Sequence, residues 1–250
     1  MSQPTPSPIQ APGSAFWAGV RAQLPILLGT SPFGMIYGVL AVGAQLPFAA
    51  AQGMSALVFA GSAQFIATGL FGGGTPGPLI VLITFVVNLR HALYSASLAP
   101  HLRGLSARWR AVLAFLLTDE AYAVVITHAA SAPPQDAGQT RRLGWYTLGA
   151  GLTLFVSWQI STALGALLGA AVPASWELDF TLALTFIALV IPALTDRPAL
   201  ASALVAGVTA VLARGLEFRL GLLVAAAAGI AAGLLAERVW PLAPVAEEGR

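Results

Sequence analysis

The stretch "LIVLITFVVNLRHALYSASLA", residues 79–99, decides the fold. At 1.5 Å per residue its helix is about 31 Å long, enough to cross a hydrocarbon core of about 30 Å. It is apolar for most of its length, yet carries Asn88, Arg90 and His91 within four residues. Segments of similar character recur along the chain, so whatever explains one must explain an assembly of them.

Composition agrees. Apolar residues make up 57% of the 250 positions and charged residues 9%, against about a quarter charged in a soluble domain. Such a chain cannot cover itself with a solvated surface. Its apolar runs have helical length rather than the ten-residue alternation of a membrane barrel. The expectation is an all-α, multi-pass helix bundle in a cytoplasmic-type (inner) cell membrane. The basic residues are twelve arginines and no lysine, and cysteine is absent. Lysine-dependent phosphate loops and Schiff bases are thereby excluded, as are disulfides, thiolate metal sites and a cysteine nucleophile. The arginines are spread over many loops, which suits membrane topology rather than nucleic-acid binding.

Breakers and charges mark apolar segments near 24–45, 49–71, 79–99, 111–130, 143–171, 180–194, 199–212 and 220–235. Several are short, giving seven or eight crossings. Residues 1–20, rich in Pro and Ser with no basic residue, read as a disordered tail, and 241–250 as another. The domain between, 21–240, divides into possible halves at 21–130 and 142–240. Gly43, Ala44, Pro47, Leu57 and Phe59 match Gly169, Ala170, Pro173, Leu184 and Phe186 at nearly constant offset, and Arg90 pairs similarly with Arg214. Internal repeats are usual in secondary transporters. If the polar fourth segment is partly re-entrant or broken, arginines collect on one side, the N-terminus is external, and the halves have opposite orientation. If all eight segments cross, the arginines fall evenly and orient nothing.

On a helix of 100° per residue, Asn88, His91 and Ser95 share one arc, while Arg90, Tyr94 and Ser97 share the next. Arg90 lies twelve residues from Pro78 and ten from Pro100, roughly 15 Å from either end. An unpaired charge there costs about 2.5–3.5 kcal/mol on insertion scales. The fourth segment supplies Asp119 and Glu120. Adjacent carboxylates point about 100° apart, so one can neutralise Arg90 while the other lines a cavity or takes a proton. His91 is a second candidate proton carrier. The bland alternatives are a helix that ends before Asn88, leaving Arg90 at the headgroups, and a short interfacial helix at Asp119. In "GTSPFGMIYG", Pro32 and Gly34 allow either a simple kink or an unwound turn with exposed backbone ligands. Gln64 in "FAGSAQF" is either interhelical glue or a substrate ligand. Ser157, Gln159, Ser161 and Thr162 carry the same choice, and Trp158 is placed for the core.

Four stretches in order, "SPFGMIYG", "FAGSAQFIA", "NLRHALYSASLAPHL" and "LTDEAYAV", resemble the AzlC family, large subunits of branched-chain amino acid exporters. The resemblance covers the chain from about Arg21 to the last helix and is weaker in the second half. It implies export of apolar amino acids, a small AzlD-type membrane partner, and energy from an ion or proton gradient. Pro32, Gly34, Gln64, Asn88, Arg90, His91, Tyr94, Asp119 and Glu120 fall in its motifs as substrate-binding or coupling residues. The expected chain is no enzyme and needs no cofactor or metal. Its partners are the small subunit, an apolar amino acid, protons and the bilayer, with no nucleic acid. Two other readings stay open: the membrane subunit of an ATP-driven transporter, with the ATPase on a soluble partner, and an intramembrane enzyme built on His91, Asp119 and Glu120.

Overall fold

The structure, a computed structural model, describes residues 12–130, 137–169, 194, 196–216 and 220–240. Its elements are α1 (Pro12–Gly43), α2 (Phe48–Leu57), α3 (Gly61–Gly72), α4 (Gly77–Asn88), α5 (Arg90–Leu98), a 3-10 turn (Ala99–Leu102), α6 (Ala107–Phe115), α7 (Asp119–Ala130), α8 (Ala137–Gly169), α9 (Arg197–Leu212), a second 3-10 turn (Ala213–Gly215) and α10 (Gly221–Val239). The fold is all-helical, as expected. Four stretches among the described residues are long and apolar enough to cross a bilayer: Pro12–Gly43, Gly77–Leu102, Gly138–Gly169 and Arg197–Gly215. The apolar segment at 180–194, the second-half matches from Ala170 to Phe186 and the tail at 241–250 lie outside the described residues.

Two compact units divide the chain. The first takes the described residues up to Gly69 and from Thr84 to Gly169; the second takes Leu70–Ile83, α9 and α10. Halves at 21–130 and 142–240 therefore do not coincide with the packing. In the second unit α9 and α10 are antiparallel: Ser202 Oγ donates to Gly229 O at 2.8 Å, while Gly221 lies against Ala213.

The scaffold of the first unit is the pair α1 and α8, of 32 and 33 residues. Glycine makes their contact possible. A Cβ on Gly19 would collide with the carbonyl of Tyr146, one on Gly149 with that of Phe16, one on Gly38 with that of Thr162, and one on Gly165 with that of Met35. Small residues let helix backbones touch inside a membrane, where no hydrophobic force drives them together. The contacts advance in the same direction on both helices, so α1 and α8 are parallel. Opposite orientation of the halves is thus not what their first helices adopt. Arg90 and Arg214 are not equivalent either, since Arg90 begins α5 whereas Arg214 lies beyond the end of α9.

Two further expectations are corrected. Helix α1 starts at Pro12, where a missing N–H costs nothing, so residues 12–20 are helix rather than tail. It also runs unbroken through Pro25 and Pro32. The unwound turn at Pro32 is not adopted, and Gly34 packs against Ser161 and Trp158 of α8.

The breaks lie elsewhere. Between α2 and α3, Phe59 takes a left-handed φ of 43°, a strained state for a bulky side chain. Its ring packs on Phe155 at 4.9 Å and on Phe115 at 6.1 Å. Between α4 and α5 there is one tightened turn, with Leu89 N–H donating to Val86 O, three residues back. Between α6 and α7 the chain leaves the helix at Leu116–Thr118. Polar side chains of α8 bind α1 and α2 to it: Ser157 to Ser31 at 2.9 Å, Thr162 to Ser55 at 2.9 Å, and Gln159 to Gln52 at 2.7 Å.

Close glycine packing predicts that Gly165→Ala forces α1 from α8, an overpacking cost of about 1–3 kcal/mol. Gly53 of α2 has nothing within 4 Å of a built Cβ, and Gly53→Ala gains helix propensity, about 1 kcal/mol. Thermal midpoints of the purified variants in detergent should move in opposite directions. Equal midpoints would refute the packing account.

Candidate functional site

Three helix breaks meet at one cluster. Arg90, first residue of α5, places Nη1 2.8 Å from Oδ2 of Asp119, first residue of α7. Its Nη2 donates to Ser62 Oγ, beside the start of α3, at 2.6 Å. Tyr94, one turn along α5, donates its hydroxyl to Asp119 Oδ1 at 2.6 Å. Both Asp119 oxygens are therefore occupied, one by charge and one by a phenol. The ring of Tyr94 stacks on Tyr122, one turn along α7, with centroids 4.7 Å apart and planes at 15°. Ser97 Oγ and Tyr122 Oη lie 2.9 Å apart. Arg90, Tyr94 and Ser97 thus turn one arc of α5 towards α7, as their angular spacing implies.

The start of α7 explains why two adjacent acids behave differently. Thr118 caps the helix: its Oγ1 accepts from Ala121 N–H at 3.4 Å and donates to Glu120 Oε2 at 2.9 Å. Carboxylates in a first helical turn are favoured by the helix dipole. Asp119 faces Arg90, and Glu120, one residue on, faces its own cap. Arg90–Asp119 is the one ion pair among the described residues, so Glu120 has no cation within ion-pair distance there. The side chains of Arg90 and Asp119 keep 29% and 41% of their accessible surface. The pair is open on one side to a small solute rather than sealed in the packing.

Beside it lies unused polar capacity. Thr84 Oγ1, Asn88 Oδ1 and His91 Nε2, which share one face of α4–α5 at spacings of four and three, are shielded and have no protein partner. Arg90 Nε is in the same state. A buried polar group left unpaired costs about 1–3 kcal/mol, so this face of α4–α5, turned about 120° from the one that meets α7, keeps capacity for a polar neighbour.

Gln64 does not join this cluster. It is fully buried on the other side of α3, where Oε1 accepts from Trp158 Nε1 at 3.0 Å. Trp158 is buried, as its depth in the segment implies. Tyr37 donates to Ala51 O at 3.0 Å and lies near Gln64 and Thr68. Gln64 Nε2 and Thr68 Oγ1 nevertheless have no hydrogen-bond partner. Of the nine residues singled out from sequence, Arg90, His91, Tyr94, Asp119 and Glu120 come together, while Asn88 lies two residues before Arg90 with no bond to the cluster. Pro32 is exposed on α1, Gly34 lies in the α1–α8 contact, and Gln64 ties α3 to Trp158 of α8. Sequence reasoning missed Ser62, Tyr122 and Thr118. Thr118 was findable, because a hydroxyl followed at once by two acids is a helix start. Ser62 could be separated from Gln64 by the 200° between them on a helix.

A guanidinium and a carboxylate stand side by side, each bonded to a hydroxyl, and so offer one charge of each sign.

Comparison with known proteins bears on the same region. The family model described as "AzlC protein" matches residues 25–172, which includes every residue of the cluster. The inner membrane protein YgaZ of Escherichia coli is 31% identical over 68% of this chain and 66% of its own length. The branched-chain amino acid transport protein AzlC of Bacillus subtilis is 29% identical over 71% of this chain and 69% of its own. A membrane protein of Archaeoglobus fulgidus is 30% identical over 73% and 77%. No solved structure matches. With a family model covering more than half of its length, this chain belongs to the AzlC family.

Proposed function

We propose that the chain is a secondary transporter exporting branched-chain or similar small apolar amino acids, driven by the proton gradient. It acts as the large subunit beside a small AzlD-type membrane partner. The observation that carries this reading is the Arg90–Asp119 pair at the meeting of three broken helices. Broken helices with freed termini at membrane depth are where transporters bind solutes. The substrate class is supported by the name of the Bacillus subtilis relative.

An amino acid is a zwitterion, and this site holds its complement. The substrate carboxylate takes Arg90 and Ser62; its ammonium takes Asp119, with Tyr94 on the second oxygen. In the empty carrier the two protein charges satisfy each other, so neither state strands a buried charge. Glu120, lacking a cation, is the group that exchanges the coupling proton, and His91 with its unpartnered Nε2 lies one residue from Arg90.

Topology follows from the parallel scaffold. With α1 and α8 both crossing in one direction, the three broken segments between them return the chain an odd number of times. A re-entrant fourth segment beside two full crossings does not satisfy that count, and the arginine bias that depended on it no longer orients the chain.

The test is efflux of preloaded leucine from proteoliposomes containing the chain and its small partner under an imposed proton gradient. Wild type should empty the vesicles, and leucine retained under every gradient would refute export. Asp119→Asn and Arg90→Gln should each lower efflux at least tenfold, in both gradient-driven and exchange modes. Glu120→Gln should lose gradient-driven efflux while keeping leucine–leucine exchange; retention of both modes would remove Glu120 from coupling. Recognition of a zwitterion also makes a prediction about competitors. Neither 4-methylpentanoate, lacking the ammonium, nor 3-methylbutylamine, lacking the carboxylate, should inhibit at concentrations where valine does. Inhibition by either alone would show that one charge suffices.

A further inference from the structure

A groove of about 260 Å³ runs between α5 with its following 3-10 turn and α6. Leu98, Ala99 and Leu102 form one side, and Leu113, Ala114 and Leu117 the other. Each set follows the three- and four-residue spacing of a single helix face. The leucines are buried and belong to a core that includes Val125 and Tyr146, so the groove has a packed floor. Its polar lining comes from Ser95 and from Arg110 in the first turn of α6.

Arg110 is exposed, and Arg103 and Arg108 are exposed in and beside the same loop. Residues 89–118 contain no Asp or Glu, and none of these three arginines has an ion-pair partner among the described residues. Trp109, between Arg108 and Arg110, meets Trp145 edge-on at 5.3 Å. Paired tryptophans beside arginines are the mark of headgroup depth. From Arg110 to the end of α6 at Phe115 the wall runs about 7 Å along the helix, a quarter of the hydrocarbon core. An anion alone would use the arginines and leave the leucine floor idle; a neutral lipid would do the reverse. The lining fits an anion joined to an aliphatic chain, and basic pockets between membrane helices hold such headgroups.

We propose that this groove binds an anionic phospholipid, its phosphate on Arg110 and an acyl chain between Ala99 and Ala114, above the buried leucines. The position gives the lipid leverage. One wall begins at Arg90 and the other leads through Leu116–Thr118 into Asp119, so an occupant of the groove sets the spacing of the two elements that carry the ion pair. The inference stands apart from the transport reading, because it concerns binding by the full chain whatever is transported.

The experiment is native mass spectrometry and thermal unfolding of the purified full chain, delipidated and then offered phosphatidylglycerol, phosphatidylcholine of the same acyl chains, or glycerol 3-phosphate. Phosphatidylglycerol should be retained at least fivefold more than phosphatidylcholine and should raise the thermal midpoint; glycerol 3-phosphate should do neither. Arg110→Gln, at an exposed position, should abolish the preference, and Ala114→Phe, which fills the groove, should abolish retention. Arg21→Gln, remote in sequence, should keep both. Equal retention of the two lipids by wild type, or an unchanged preference in Arg110→Gln, overturns the proposal. So does stabilisation by glycerol 3-phosphate alone, which would make the site one for free anions.

Discussion

A guanidinium placed at hydrocarbon depth must have an anion and hydrogen-bond acceptors beside it, and the first unit is organised around that demand. Leaving Arg90 unpaired would cost a few kcal/mol, a large share of the stability of a typical domain. Asp119 and Ser62 together take both terminal nitrogens, and hydrogen bonds to charged groups are worth about 1.5–3 kcal/mol each. Asp119 is the first residue of α7, where the positive dipole end of the helix favours a carboxylate. The break before Asp119 therefore supports the anion that Arg90 requires.

Broken helices forfeit backbone hydrogen bonds and need something rigid to lean on. The parallel pair α1 and α8 provides it. Its stiffness comes from close contact, through glycines facing carbonyls, and from polar bonds placed where α2 approaches α8. Interhelical hydrogen bonds in membranes are individually modest, near 0.6 kcal/mol on average and at most about 2. Several in register hold α2 more firmly than one, and Phe59 can then keep its left-handed backbone against two aromatic neighbours.

Apolar length and low charge made the helical membrane fold legible from sequence, since a helix is the one structure that satisfies the backbone of a long apolar run within the run itself. The depth of Arg90 made the need for a carboxylate legible, and angular spacing sorted Tyr94 and Ser97 to the same side as Arg90. What failed was the location of the breaks. Proline is the usual signal, and Pro32 pointed to α1; yet α1 stays helical through it, with close glycine contacts to α8 on either side, at Gly19 and Gly38. The true breaks at Phe59 and at Leu116–Thr118 carry no proline. They are imposed by tertiary contacts that a one-dimensional pattern does not contain. Only Thr118–Asp119–Glu120 left a local trace, and in an apolar run it read as mid-helix polarity.

Adjacent acids in one helix turn are an inexpensive way to separate two functions. A rigid backbone fixes about 100° between Asp119 and Glu120, so occupation of one by a cation cannot neutralise the other. Arg90 and Tyr94 hold Asp119 as a fixed acceptor. Glu120 is held by Thr118, a neutral donor on the same turn. A cationic partner would keep Glu120 ionised, whereas a hydroxyl serves either protonation state, donating to a carboxylate and accepting from a carboxylic acid. On the proposed reading this difference lets the site exchange one proton without disturbing the charge pair that reads the substrate, because the two events use neighbouring but differently directed side chains.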